Sequence, residues 1–249
     1  MELTRILIGI DDTDNLESRG TGFRARQLAK SIEESGLGIL LGITRHQLFF
    51  DRRIPYTSHN SSACLEISTG NIEEVTSLSR EFLLRESADG SDAGLAVAIY
   101  DEVDPEMVEW GRRAKREILT QAEALDIAGK RNVFLEGLTG TRDGIIGSLA
   151  AIGLRKSGND GRYIGTGGRE IRELKGIYTA AQLFGEIKID AITDPDGNSI
   201  PMEERIDIGE WMRPVLIGDR ITIIAGRALN EENYEWKVTT KDIIKSISG

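Results

Sequence analysis

Apolar and polar positions in the first hundred residues repeat with two clear periods. Arg5-Ile6-Leu7-Ile8 reads as a short buried strand. Ala25, Leu28, Ala29 and Ile32 then fall on one helical stripe, which Gly36 and Gly38 stop. Ile39 to Ile43 is a continuous apolar run, as a strand buried on both faces would be. Phe49 to Ser62 is irregular and polar, and Ala63 to Ser68 is again strand-like. Ile72, Val75, Leu78, Phe82 and Leu83 form a second helical stripe. A turn-rich segment from Ser87 to Asp92 leads to the apolar strand Leu95 to Tyr100. The order β-α-β-β-α-β predicts a mixed α/β (α+β) chain whose N-terminal half is a split βαβ, ferredoxin-like arrangement.

A third helix is predicted from Pro105 to Gly129, with Met107, Trp110, Ala114, Ile118, Ala122 and Leu125 on its stripe. Gly137 to Gly168 is rich in glycine and holds one short apolar helix, Ile145 to Leu154. From Gly185 the pattern becomes β-rich: Ile187 to Ile192, a turn at Asp194 to Gly197, Ile206 to Ile208, Val215 to Ile217 and Ile221 to Ile224. A soft boundary near Thr179 divides an α/β region, 1–178, from a β-rich region, 179–249. One compact unit is the alternative.

With 249 residues the chain can bury a sizeable core. It has no apolar stretch of transmembrane length and no signal-peptide pattern, so the cytoplasm is the expected compartment and no membrane partner is expected. The single cysteine, Cys64, excludes an internal disulfide and a cysteine-rich zinc site, and reads as a small buried hydrophobe. The net charge of −10 disfavours broad nucleic-acid binding. Arg24, Arg26, Arg52 and Arg53 remain as a local basic cleft. Arg112, Arg113, Lys115 and Arg116 alternate with Glu106, Glu109 and Glu117, as on a solvated helix face.

The richest chemistry lies in Gly9-Ile10-Asp11-Asp12-Thr13-Asp14-Asn15, where three carboxylates follow the first strand. Hard oxygen donors at a strand end suit Mg²⁺ and, through it, a nucleotide phosphate; a metal-free Asp-rich turn is the competing reading. Gly140-Thr141-Arg142-Asp143-Gly144-Ile145-Ile146-Gly147-Ser148 leads into a helix whose exposed N–H groups would favour a phosphate. Glycines that admit close helix packing explain it equally well. Gly165-Thr166-Gly167-Gly168 reads better as a plain loop than as a second cradle. His59 lies in the polar segment Arg53-Ile54-Pro55-Tyr56-Thr57-Ser58-His59-Asn60, more in the manner of a surface histidine than of a general base.

In order, these segments resemble the archaeal agmatidine synthetase family, TiaS, which joins agmatine to a tRNA anticodon cytidine at the expense of ATP. The likeness runs through Gly9 to Asp14, Arg19-Gly20, Ile54-Pro55-Tyr56 with Asn60, Glu123-Ala124-Leu125 and Gly129-Lys130. It is strongest at Gly144 to Gly153, and Pro214-Val215-Leu216 with Gly218 follow it. The resemblance implies a kinase-like region that binds ATP and Mg²⁺. It assigns Asp11, Asp12 and Asp14 to the metal and the chemistry. It assigns Gly144, Gly147, Lys130, Arg142, Ser148, Tyr56 and Asn60 to the nucleotide. Three departures stand out. The family's OB-fold and four-cysteine zinc ribbon are not expected in this chain. Only Thr21 stands where the family has a threonine pair. His59 replaces a basic residue before the family asparagine.

The expected function is therefore Mg·ATP-dependent phosphoryl transfer or ligation to an unassigned small-molecule or nucleotide acceptor, without tight tRNA binding by this chain alone. A nucleotide-binding module without chemistry, or a subunit of a tRNA-modifying assembly, is the alternative.

Overall fold

The computed structural model describes residues 3–57, 59–165, 170–229 and 233–247. The chain divides into two compact units, one ending at Ser157 and one beginning at Gly158. Among the described residues there are seven α-helices and twelve strands in a mixed α/β arrangement. No helix among them is long and apolar enough to cross a membrane.

The first unit begins as the sequence pattern predicts: β1 (Thr4–Asp11), α1 (Thr21–Glu34), β2 (Ile39–Gln47), β3 (Ser61–Thr69), α2 (Ile72–Glu86) and β4 (Gly94–Ile99). The strands pair antiparallel in the order β4-β1-β3-β2, the split βαβ sheet. Side chains alternate between faces along each strand. Ile6, Ile8 and Ile10 of β1 and the stripe Ala25, Leu28, Ala29 and Ile32 of α1 are all buried. Leu7 alternates with them and belongs to a different cluster, with Cys64, Ala96, Leu149 and Ile152.

The helix expected over Pro105–Gly129 is two helices, α3 (Pro105–Arg113) and α4 (Gln121–Gly129). Thr120 explains the break. Its hydroxyl accepts from Glu123 N–H while the Glu123 carboxylate accepts from Thr120 N–H, a reciprocal cap that starts a new helix. Ile118 and Leu125, read as core positions, are exposed. The short strand β5 (Phe134–Gly137), missed by the pattern, adds beside β4. The basic and acidic residues of this stretch pair with one another, although α3 ends at Arg113: Arg113 with Glu117, Arg116 with Glu109 of α3, and Arg113 also with Glu123 of α4.

The apolar helix in the glycine-rich stretch, α5 (Gly144–Lys156), covers the remaining face of the sheet. It sits unusually close to the strands. A Cβ on Gly9 would stand 1.9 Å from the Ser148 carbonyl oxygen. At its far end Arg155 reaches the buried Glu66 carboxylate at 2.5 Å, and Arg5 binds the same carboxylate.

The second unit holds β6 (Arg162–Gly165), β7 (Gly176–Thr179), α6 (Ala180–Glu186), β8 (Ala191–Thr193) and β9 (Arg205–Gly209). It continues with β10 (Val215–Ile217), β11 (Arg220–Arg227), β12 (Trp236–Val238) and α7 (Lys241–Ile247). The boundary expected at 178/179 falls at the junction of β7 and α6 inside this unit. Thr179 and Gln182 cap α6 reciprocally. The predicted strand Ile187–Ile192 is only partly strand, because β8 starts at Ala191. β10 and β11 form a two-residue hairpin whose central Gly218 and Asp219 both have positive φ, as a type I′ turn requires. Ile192, Ile206, Ile208 and Ile223 lie in its core. Of the second glycine cluster, Gly165 ends β6, and residues 166–168 lie outside the described residues.

The contact between α5 and β1 leaves no room for one methyl group. Gly9→Ala is expected to lower unfolding free energy by about 1–3 kcal/mol through overpacking. Urea denaturation measures this, and an unchanged midpoint would show that α5 can move aside freely.

Candidate functional site

β1 ends at Asp11, and the chain turns sharply because Asp12 takes a positive φ of 50°. Aspartate tolerates this left-handed conformation better than most residues. Antiparallel pairing sets Asp11 opposite Gly94, so the segment leading into β4 lies beside the end of β1. The turn before α5 is clipped to that same segment. Thr141 N–H donates to Asp92 Oδ1 at 2.5 Å, Gly144 N–H to the Asp92 carbonyl at 2.9 Å, and Thr139 Oγ1 to the Ser91 carbonyl at 2.7 Å. The end of β1 and the start of α5 are thereby brought to one place.

A pocket of about 930 Å³, counted to its open mouth, lies there. Asp11, Asp12, Asp14, Asp143, Gly144 and Gly147 line its polar side. Leu48, Ile54, Tyr56, Ile118, Leu119 and Ile146 give it an apolar side. The mixed lining, apolar on one side with convergent polar groups on the other, is that of a small-molecule site.

The three predicted aspartates all line this pocket, in different environments. A Cβ on Gly147 would stand 1.8 Å from Asp11 Oδ2, so a glycine is what admits this carboxylate against α5. Burial, then the charges of Asp12 and Asp14, push the Asp11 carboxyl well above the usual range, while a hydrogen bond from Asp12 N–H opposes the rise. Burial, then the facing Asp92, Asp14 and Asp143, push Asp12 up to about 6. Asp14 is engaged differently. Its Oδ1 accepts from the backbone N–H of Thr21 at 3.0 Å and from its hydroxyl at 2.9 Å, and its Oδ2 accepts from Thr57 Oγ1 at 2.9 Å. Because Gly20 offers no side-chain cap, Asp14 serves the first turn of α1 from seven residues upstream.

Of the residues assigned to a nucleotide by resemblance, Gly144, Gly147, Tyr56 and Asn60 line the pocket, and Lys130, Arg142 and Ser148 do not. Lys130 is exposed and pairs with Asp126 at 2.5 Å. Arg142 has a φ of 71° in the turn before α5. Ser148 is buried and donates to the Ile145 carbonyl at 3.1 Å. The Asn60 amide donates to the Phe49 carbonyl at 2.7 Å, tying the two ends of the loop that carries Tyr56. Tyr56 packs edge-on against Phe50 with centroids 5.3 Å apart. Among Arg24, Arg26, Arg52 and Arg53, only Arg53 lines the pocket, and Asp51 holds it at 2.8 Å. His59 lines the pocket from an exposed position.

Sequence reasoning missed Asp92, Asp143 and the apolar wall. The signal for Asp92 was the antiparallel pairing itself, which returns the start of β4 to the end of β1. Ile118 and Leu119 were read as helix, and the cap at Thr120 instead leaves them in the connection that reaches the pocket.

No protein-family model matches the chain. The uncharacterized protein MJ0921 of Methanocaldococcus jannaschii is 30% identical over 158 residues, 61% of this chain and 51% of that protein. The chain thus spans about half the length of this relative. The crystal structure of apo TiaS, a tRNA agmatidine synthetase, aligns with a TM-score of 0.53 at 22% identity, over 60% of this chain and 35% of that one. The crystal structure of TiaS in complex with its tRNA and ATP aligns with a TM-score of 0.54 at 23% identity, over 60% of this chain and 36% of that one. These likenesses show a TiaS-like fold over that portion of the chain.

The raised Asp12 value carries a pH dependence. Between its unfolded value near 3.9 and its folded value of about 6, the native state binds the proton more strongly than the unfolded chain does. The contribution of Asp12 to the stability of the metal-free protein therefore falls as pH rises through this window, and that of Asp11 changes in the same direction. The loss from Asp12 is at most about 3 kcal/mol, reduced by screening at a partly exposed site. Urea titrations at about pH 4.5 and 7 should show the fall, and Asp12→Asn should flatten it. Equal slopes in parent and variant would contradict the electrostatic assignment.

Proposed function

We propose that the pocket binds Mg·ATP and that the chain uses it for phosphoryl transfer or ligation to an acceptor. The observation that carries this reading is the meeting of the Asp11-Asp12 turn with the first turn of α5 in one pocket. The TiaS-like fold supports it, since one TiaS structure of that fold is a complex with ATP.

The donor set fits a hard dication. The donors are carboxylate oxygens; burial first, and then repulsion between the acids, raises Asp11 and Asp12, and a cation among them would favour their charged forms. Among the described residues no three His, Cys, Asp or Glu side chains form a cage for a metal ion. Mg²⁺ does not require one, because it is commonly held by one or two carboxylates, phosphate oxygens and water. Asp11 and Asp12 would hold the ion. Bound there, it would supply charge neutralisation at the phosphates.

The other residues have separable tasks. Asp14 keeps α1 and the Thr57 loop in place through its three hydrogen bonds. Gly147 keeps a side chain out of the space the Asp11 carboxylate occupies, and Gly144 lets the start of α5 lie against the Asp92–Gly94 backbone. The apolar side, with Leu48, Tyr56 and Leu119, suits a flat base and excludes water from it. A pocket lined by four aspartates repels a bare triphosphate, so nucleotide binding must depend on the cation. The acceptor is a small molecule or a nucleotide, and the acidic charge of −10 argues against tight tRNA binding by this chain alone.

Mg·ATP should raise Tm, and Mg²⁺ or ATP alone should do much less. Nucleotide at ~100 times Kd adds roughly 2.7 kcal/mol if it binds only the folded state. Asp11→Asn and Asp12→Asn should fold and lose the Mg²⁺-dependent part of the shift. A thermal-shift series with millimolar ATP checks this, and no response in the parent would remove the nucleotide reading. ATP turnover by the pure protein separates an enzyme from a binding module.

A further inference from the structure

We propose that Gln121 is a positioning residue of this pocket, holding the Asp143 carboxylate toward the hydrated dication that Asp11 and Asp12 would bind. The inference rests on the Mg·ATP reading and adds two residues to it.

Gln121 is the first residue of α4, and its backbone is fixed on both sides. Thr120 and Glu123 cap the helix reciprocally, and Arg113 of α3 holds the Glu123 carboxylate at 3.0 Å. From this anchor the Gln121 amide reaches the turn before α5. Nε2 donates to the Thr141 carbonyl at 2.9 Å and to Asp143 Oδ1 at 2.6 Å, using both of its N–H groups on one turn. That turn carries two positive φ values, at Gly140 and Arg142, and Asp92 clips its opposite side through Thr141 N–H. Asp143 is thus set between two supports and lines the same pocket as Asp11 and Asp12.

The chemistry of the support matters. A lysine or arginine at position 121 would orient Asp143 and cancel its charge. A neutral amide orients it and leaves the full charge facing the pocket. Asp14 keeps its charge too, but hydrogen bonds from Thr21 and Thr57 engage both of its oxygens in holding α1 and the Thr57 loop. Asp143 is therefore the carboxylate placed to act on a hydrated Mg²⁺ from outside its direct ligands. Outer partners of this kind change metal affinity by roughly 10–100-fold when removed.

The experiment measures the Mg²⁺ concentration that gives half of the Tm increase at fixed adenylyl imidodiphosphate. Q121M keeps the side chain's length and removes both donors, and Q121A serves if Q121M lowers the nucleotide-free Tm. Either is expected to raise the half-maximal Mg²⁺ concentration by roughly tenfold while leaving the nucleotide-free Tm unchanged. D143N should shift it at least as far. The double variant should match D143N alone, because Gln121 acts through Asp143. A parent-like Mg²⁺ dependence in the Gln121 variants, or shifts that add in full in the double variant, would overturn the proposal and leave the nucleotide reading standing. A parent that shows no Mg²⁺-dependent response removes both.

Discussion

The close approach of α5 to the sheet is the constraint on which the rest of the first unit depends. Backbone meets backbone where Gly9 faces Ser148 and where Gly94 faces Gly144, and a Cβ at either strand position would fall within 1.9 to 2.1 Å of the helix backbone. Gly153 allows the same approach of α3, where a Cβ would stand 2.0 Å from the Met107 carbonyl oxygen. A helix lying this deep brings its first turn level with the end of β1. The Asp11-Asp12 turn and Asp143 then share one pocket, although they lie far apart in sequence. The glycines that most resembled a phosphate cradle therefore also meet a packing requirement: they let the helix reach the aspartates.

Charge is the second determinant. Carboxylates at the end of β1, before β4 and at the start of α5 crowd together, with Arg53 as the one arginine or lysine among the described lining residues. The chain tolerates this only because the groups differ in how they are held. Asp14 is satisfied by three donors and works as a cap. Asp51 binds Arg53 and falls to about 2. Asp11 and Asp12 are partly buried and take the unrelieved repulsion as well, and their carboxyls rise. Unrelieved charge on two neighbouring side chains of one pocket is the pattern expected of a ligand site.

Much of this was legible in the sequence, for physical reasons that can be named. The βαββαβ half was readable because β1 and α1 bury regular apolar stripes, and period decides secondary structure there. The aspartate cluster was readable because three acids in four residues cannot all be buried in a strand. Less legible were features set by distant partners. The break between α3 and α4 follows from a two-residue cap at Thr120 and Glu123, which outweighs the run of the apolar stripe. The rule that ligands gather at the carboxyl ends of parallel strands pointed to a turn that does line the pocket, but the rule does not apply here, since this sheet is antiparallel. What marks the turn is the return of β4 and the depth of α5. Lys130 and Arg142 fitted a motif order, yet neither lines the pocket, because motif order does not encode the direction of a side chain.

Amide hydrogen exchange with and without Mg·ATP tests the central claim most directly. The first strand's end and the turn before α5 are claimed to close on one ligand. Protection is expected together in Gly9–Asp14 and Gly140–Ser148, and only when Mg²⁺ and ATP are both present. Unchanged exchange in both segments at saturating Mg·ATP, or protection confined to other parts of the chain, would contradict it.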